Sequence, residues 1–288
     1  MTVDLIIDVL VVLTLIEMMA AIGLGVTLAD TVHVAGDWRL IARAVLANYV
    51  LVPAVVVGLL PLIQAPPLVA AGFLVTAVCP GAPYGPPFTA LAKGDMAISV
   101  GVMVMLAGSS AVVTPLLLAM LLHVASEDQP LKIDAMRMVG TLLLTQLAPL
   151  GIGLAVRQYR PALADRLRRP ANRLSVGLNL VAIGAIAVVD FHLLDSVRSI
   201  EFVAMLALVL IALVVGWLLG GPGGNKRRAM AFSTGVRNVA VSLVIARASF
   251  PGTPAVTTVL AYAVVQTAVL ALLAAGWGRW ATAADRAA

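Results

Sequence analysis

Two ionisable side chains stand near the middle of long apolar stretches in this sequence. Arg237 interrupts the run FSTGVRNVAV at residues 232–241, and Glu17 interrupts the first apolar stretch of the chain. Arginine stays protonated in proteins, so at such a position it needs a carboxylate, backbone carbonyls or a bound anion. Glu17 is therefore either the ion-pair partner of Arg237 or a group that faces a watery cavity and titrates.

Uncharged polar side chains lie at comparable depths. They are Asn48, Ser99, Thr114, Asn179, Asn238 and Gln266. Each by itself more often forms a hydrogen bond between helices than a ligand contact. A ligand contact becomes more favoured for residues that lie beside a broken helix. The candidate substrate-binding residues are Arg237, Asn238, Glu17, Asn48 and Thr114.

The sequence lacks the residue patterns of a catalytic site. His33, His123 and His192 fall in predicted loops or at the ends of predicted spans, so no histidine is placed at depth for metal binding or acid–base chemistry. No phosphate-binding loop, nucleophile elbow or pair of catalytic carboxylates occurs. We therefore expect no enzyme activity and no cofactor.

The composition places these residues in a membrane. Hydrophobic residues make up 61% of the 288 residues and charged residues 11%, against about 25% charged residues in soluble domains. Apolar stretches of about 20 residues, long enough to span a bilayer as helices, recur along the chain. We predict an all-α membrane protein, a single domain over 1–288 with nine spans. The spans cover about 5–28, 38–62, 67–92, 95–122, 134–157, 172–191, 199–220, 227–250 and 254–280.

Basic residues predict the orientation of these spans. Most of the 19 Lys and Arg residues fall on one side, including the arginines within 157–173 and the cluster at 226–228. Short loops rich in Lys and Arg remain cytoplasmic. We predict an outside N-terminus and a cytoplasmic C-terminus in a plasma membrane, which the composition suggests is a bacterial inner membrane. The net charge of +5 is then a topology signal, and no nucleic-acid partner is expected.

Two of the predicted spans cannot be continuous helices. The third contains CPGAPYGPPF at 79–88, where prolines remove hydrogen-bond donors and clash with the preceding turn. The eighth contains Ser233, Thr234 and Gly235, which weaken a helix, just before Arg237. Such breaks free backbone amides that bind anions and backbone carbonyls that coordinate cations.

The positions of the two breaks suggest an internal repeat. Spans 1–4 (about 5–122) and spans 6–9 (about 172–280) form two groups of four, with a linker helix at about 134–157. The groups are offset by five spans, so they run in opposite directions, and the broken span is third in each. Matched broken helices in an inverted repeat are typical of secondary transporters. A leak channel is disfavoured because it has no need of this match.

Several segments resemble the bile acid:sodium symporter family, in order and spacing, over nearly the whole chain. The most specific is the Cys-Pro-Gly turn at 79–81, which leads to Leu-Ala-Lys-Gly-Asp at 91–95, and the block AFSTGVRNVAVSLVIA is moderately specific. The resemblance implies a panel domain and a core domain. It also implies two broken core helices that cross near sodium sites, and an organic anion held in the cavity between the domains.

The chain departs from the family pattern at positions that the resemblance assigns to sodium. Gly85 and Pro86 stand where sodium-using members have Ser-Asn, and Asn48 stands where the family usually has glutamine. Ser99 is retained, whereas Met103 stands at the position of a threonine.

The second broken helix carries the largest change. The family pattern Glu-x-Gly-x-Gln-Asn reads here as Ser-Thr-Gly-Val-Arg-Asn at 233–238, so Ser233 replaces the shared carboxylate and Arg237 replaces the glutamine. A hard cation is not expected where its charge partner is lost and a guanidinium is added. Arg237 would then be a tethered cation standing in for sodium, so that no metal is expected.

We predict a divergent bacterial member of this family that moves a small organic anion, a carboxylate above all, across the lipid bilayer by alternating access. Without sodium it would act as a uniporter, as an exchanger or coupled to protons through Glu17. Two alternatives stay open: a membrane binding or sensory protein that does not transport, and a sodium-coupled symporter with altered sites. Substrate, transport direction and oligomeric state are left open by the sequence.

Overall fold

The computed structural model describes residues 3–125, 131, 133–189 and 197–287. All regular secondary structure in these ranges is helical, and seven segments are long and apolar enough to cross a membrane. The all-α membrane class is thereby confirmed, while the count of nine spans stays a prediction. The helices are α1 (Val3–Gly25), α2 (Leu28–Gly36), α3 (Trp38–Val45), α4 (Val52–Leu62), α5 (Pro67–Ala77), α6 (Gly85–Leu91), α7 (Met96–Ala125), α8 (Ala135–Leu142), α9 (Ala148–Tyr159), α10 (Pro161–Val189), α11 (Ser199–Leu219), α12 (Gly224–Gly235), α13 (Val239–Ser249) and α14 (Pro254–Ala287).

Two segments that the sequence suggested were loops are helical. Residues 28–36, with His33, form α2, and α10 begins at Pro161, so most of the basic run belongs to a helix. Hydropathy detects only the apolar part of a helix that begins with a polar or basic segment. Pro161 does not prevent α10 from starting there, because proline is well tolerated in the first turn of a helix. Residues 190–191 of the sixth predicted span, and His192, lie outside the described residues.

The helices pack in two groups. α1 packs along α9 and α10, which also contact each other, and we call these three the α1 group. α14 packs on α5, α11 and α13, while α12 packs on α6, α7 and α11; we call these seven helices the α14 group. The ring of Phe232 joins α12 to α6 and α14, with centroids 6.3 Å from Phe88 and 5.5 Å from Trp277.

The segment formed by α12 and α13 is enclosed by the rest of the protein. In its apolar stretch 94% of the residues are buried, against 28% to 50% in the other six candidate spans. Irregular backbone is tolerated at membrane depth only where protein or a cavity surrounds it. The other spans leave large apolar side chains exposed, as a lipid-facing surface requires. Among these are Leu13, Leu144, Ile152, Val214 and Leu218.

α1 and α9 cross with their backbones in contact. A Cβ added at Gly153 would lie 2.4 Å from the carbonyl oxygen of Ala20, and one at Gly23 would lie 2.4 Å from that of Leu150. Small residues allow membrane helices to approach this closely.

We expect Gly153→Val to lower the apparent melting temperature of the purified protein. The added side chain has no room and must force the helices apart, at a cost of about 1–3 kcal/mol. Gly151→Val on the same helix is the matched control, because a Cβ there meets nothing within 4 Å. Equal melting temperatures for the two variants would contradict the observed crossing.

Candidate functional site

The two broken segments meet in the interior of the α14 group. Residues 78–84 separate α5 from α6, and residues 236–238 separate α12 from α13. The backbone N–H of Asn238 donates to the carbonyl of Cys79 at 2.7 Å, and its side-chain amide donates to the carbonyl of Gly81 at 3.4 Å. Both segments are therefore interrupted, and we call their meeting point the crossover.

Local sequence explains the shape of both breaks. Gly81 has φ of 80°, which suits glycine, and a Cβ there would lie 2.3 Å from the backbone nitrogen of Ala107 in α7. Asn238 caps α13, because its side-chain oxygen accepts from the N–H of Val241 at 3.3 Å. Glycine thus lets α7 approach the first break, and the cap of Asn238 restarts the helix after the second.

The side chain of Arg237 points into the crossover and is 1% exposed. Its Nη1 donates to the carbonyl of Ala77 at 3.1 Å, and its Nη2 donates to Asn48 Oδ1 at 2.8 Å and to the carbonyl of Thr234. Nε has no acceptor among the described residues. The guanidinium therefore bridges both broken segments and the segment that carries Asn48.

Two helix ends supply the negative potential around this cation. Ala77 is the last residue of α5, and Thr234 lies in the last turn of α12. The carbonyls at a helix C-terminus carry roughly half a negative elementary charge. Two such ends together offset about one positive charge, so the arginine is accommodated although no carboxylate of the described residues contacts it.

Two further elements fix the arginine in place. From α14, Gln266 Oε1 accepts from the backbone N–H of Arg237 at 2.6 Å, and Gln266 Nε2 donates to its carbonyl at 3.3 Å. Asn48 lies in a π-helical turn, Leu46–Leu51, between α3 and α4. Pro53 follows this turn, and a proline ring displaces the carbonyl four residues before it.

Hydroxyl groups occupy the neighbouring predicted ion-site positions. Ser99 Oγ lies 2.9 Å from Thr89 Oγ1 and 3.4 Å from Ser233 Oγ, and all three residues are buried. A Cβ at Gly85 would lie 3.9 Å from the Cα of Ser233. Within the described ranges, no group of three His, Cys, Asp or Glu residues is arranged to hold a metal. The cluster consists of neutral hydroxyls that hydrogen-bond to one another.

A cavity of about 520 Å³ lies between the α1 group and the α14 group. Its walls come from α1 and α10 on one side and from the first break, α6 and α7 on the other. Pro86 and Met103, both predicted ion-site positions, face this cavity rather than the crossover. The polar lining residues are Tyr84, Arg168, Asn172 and Ser175.

Glu17 does not pair with Arg237, and this part of the sequence interpretation is wrong. Its carboxylate accepts a hydrogen bond from the hydroxyl of Ser175 in α10. Glu17 belongs to the α1 group, whereas Arg237 is enclosed in the crossover. The cavity-facing alternative is favoured, because Ser175 lines the cavity.

The other four candidate substrate residues gather at the crossover. Arg237, Asn238 and Asn48 hydrogen-bond there as described, and the hydroxyl of Thr114 donates to the carbonyl of Val78 in the first break. All four are buried, and none lines the cavity. Their role in substrate binding stays a prediction, although their convergence is observed.

Sequence reasoning missed the polar residues of the cavity. Arg168, Asn172 and Ser175 follow one another at four and then three residues, the spacing of one helix face. The pattern was present in the sequence. It was not recognised because the basic start of α10 has the composition of a cytoplasmic loop.

Comparison with known proteins supports the family resemblance. The family model described as Sodium Bile acid symporter family matches residues 12–221. The chain is 27% identical over 270 residues to the uncharacterized sodium-dependent transporter YocS of Bacillus subtilis (strain 168), covering 89% of this chain and 80% of that protein. It is 24% identical over 272 residues to the probable sodium/metabolite cotransporter BASS1, chloroplastic, of Arabidopsis thaliana, covering 91% of this chain and 65% of that protein. With the family match extending over most of its length, the chain belongs to the sodium bile acid symporter family, whose members are transporters and not enzymes.

Proposed function

We propose that this protein is a secondary active transporter that moves an organic anion by alternating access without sodium coupling. The observation that carries the proposal is the position of Arg237. Its guanidinium sits where the two broken segments meet, which is where the family resemblance places the sodium ions. A fixed positive charge there takes over the structural role of a bound cation.

The residues at the crossover do not fit sodium. A hard cation needs several oxygen ligands, and carboxylates among them balance its charge. Here the oxygens of Asn48, Ala77 and Thr234 already accept from Arg237. Ser99 and Ser233 are neutral and hydrogen-bonded. The names of both relatives refer to sodium, and we propose that this chain has lost that dependence.

The cavity between the two helix groups suits an organic anion. Its volume of about 520 Å³ lies within the range of about 300–1,000 Å³ that is typical of small-molecule sites. Its walls are largely apolar, and Arg168 is the one cationic side chain that lines it among the described residues. These features support an amphipathic substrate with a negatively charged group.

Alternating access also requires closure at the end opposite this cavity. The cavity lies beside the C-terminal end of α1, whereas Asp8, near its N-terminal end, pairs with Arg247 of α13 at 2.5 Å. Asp8 and Gly25 are about 25 Å apart along the helix, at 1.5 Å per residue. A second cavity of about 460 Å³ lies near that end, between α8 and α13. The ion pair thus joins the α1 group to the α14 group and must break when that end opens.

We expect uptake of labelled organic anions into proteoliposomes to be indifferent to a sodium gradient. Arg237→Gln should abolish this uptake, because the converging helix ends and Asn48 lose the cation that joins them. Arg227→Gln is the matched control, since Arg227 is exposed and its contacts are local ones, a hydrogen bond to the carbonyl of Gly221 and a cation–π contact with Trp217.

The same preparation tests the alternative functions. Sodium, compared with potassium at equal concentration, should not raise the melting temperature. A ligand stabilises a folded protein only by binding to it, and we propose that this protein does not bind sodium. Strict sodium dependence of uptake, or a sodium-specific rise, would overturn the proposal. Ligand-dependent stabilisation without counterflow of labelled ligand would instead indicate a binding or sensory protein.

A second prediction concerns the Asp8–Arg247 ion pair. Asp8→Asn should speed the labelling of a Val244→Cys reporter by a membrane-impermeant maleimide, because it removes the ion pair that joins α1 to α13. Val244 lines the second cavity and is buried, and the native Cys79 is buried as well. A half-exposed pair contributes about 0.2–1 kcal/mol, so we expect an increase of up to about fivefold.

The charge-swapped double variant, Asp8→Arg with Arg247→Asp, should return the labelling to the slow rate. Asp165→Asn is the control, because it removes the carboxylate that pairs with Arg157 within the α1 group. An unchanged rate in Asp8→Asn, or an equal increase in Asp165→Asn, would show that the ion pair does not close this end.

A further inference from the structure

A stripe of polar side chains on α10 faces the cavity. Arg168, Asn172 and Ser175 all line it, one helical turn after another. The remaining walls are largely apolar. They include Met18 and Ile22 of α1, Val26 just after α1, and Met96, Val100 and Met103 of α7. The cavity therefore has one polar edge and one apolar body, the pattern that an amphipathic molecule matches.

The guanidinium of Arg168 has no partner in the described part of the chain. It is exposed and lies across the end of α1, where a Cβ at Gly25 would meet its Nε at 3.4 Å. Six arginines lie within 157–173, and of these Arg168 alone lines the cavity. A guanidinium binds a carboxylate through two parallel, charge-assisted hydrogen bonds.

The position of Glu17 decides the direction in which an anion would lie. Ser175 donates its hydroxyl to the carboxylate of Glu17, so negative charge lies behind that part of the stripe. Ser175 is about 10 Å from Arg168 along the helix axis, at 1.5 Å per residue. A substrate carboxylate is repelled near Ser175 and attracted near Arg168, with Asn172 between them as a neutral hydrogen-bonding group.

From these contacts we infer that Arg168 is the anion-recognition residue of the transporter, with the substrate carboxylate on Arg168 and its apolar body between α1 and α7. The substrate class is an amphipathic monocarboxylate. This inference rests on the proposed function, and it assigns anion recognition to α10 rather than to Arg237, which the crossover encloses.

The test uses the full-length chain in a neutral detergent, with 4-phenylbutanoate and its neutral amide as matched probes. A larger acid and amide pair on a four-ring skeleton covers the upper size limit of the cavity. We expect Arg168→Gln to weaken acid binding about ten- to a hundredfold, the range of a charge-assisted hydrogen-bonding pair, and to leave amide binding unchanged. Arg168→Lys should lie between the two. Arg166→Gln, two residues away on the same helix and outside the cavity lining, should bind both probes as the parent protein does.

Equal acid binding by Arg168→Gln and the parent protein, or equal loss of acid and amide, would overturn the inference. Counterflow of the labelled acid in pure phosphatidylcholine vesicles separates a substrate role from lipid binding. An effect of Arg168→Gln that appears only when phosphatidylglycerol is added would assign Arg168 to a lipid phosphate and would also overturn it. If the parent protein neither binds nor exchanges any of the acids, that result contradicts the proposed function itself. Normal exchange of the acid by Arg168→Gln would contradict the role of Arg168 and leave the proposed transport function standing.

Discussion

The architecture depends on one buried charge and on the way in which it is neutralised. Arg237 stands in an enclosed part of the protein, where an isolated cation is strongly unfavourable. The C-terminal ends of α5 and α12 converge on its guanidinium, and Asn48 adds an amide oxygen. Helix ends need partners for their free carbonyls, and the arginine needs acceptors. Each therefore satisfies the other, and we propose on this basis that the crossover needs no bound ion.

This arrangement separates two tasks that a single arginine could have combined. Arg237 uses its Nη donors within the crossover and is enclosed, whereas Arg168 lines the cavity and has no hydrogen-bond partner among the residues that the structure describes. For the first arginine we propose a structural role, that of joining the helices. For the second we propose a recognition role, because it lines the cavity. On this proposal, anion binding and maintenance of the broken helices rest on different residues and should respond to different substitutions.

The breaks were predictable because their causes are local. Prolines at 79–88 and the residues around Gly235 interrupt a helix wherever it lies. The pairing of Glu17 was not predictable, because two charges at similar depth in one sequence can belong to different helix groups. Arg168 was missed for another reason: an amphipathic helix that begins in a basic run has the composition of a loop. The two hydrogen bonds between Gln266 and the backbone of Arg237 depend on how α14 packs, and no local sequence pattern predicts that packing.

The enclosure of α12 and α13 bears on how the chain is made. A segment that carries a guanidinium enters the bilayer during synthesis, before everything after it exists. Ala77, Asn48 and Thr234 all precede Arg237, so each acceptor of its guanidinium has already been synthesised when it emerges. Gln266, which holds only the backbone at that position, arrives later with α14. The order of the sequence lets the charge be neutralised first and the last helix close around it afterwards.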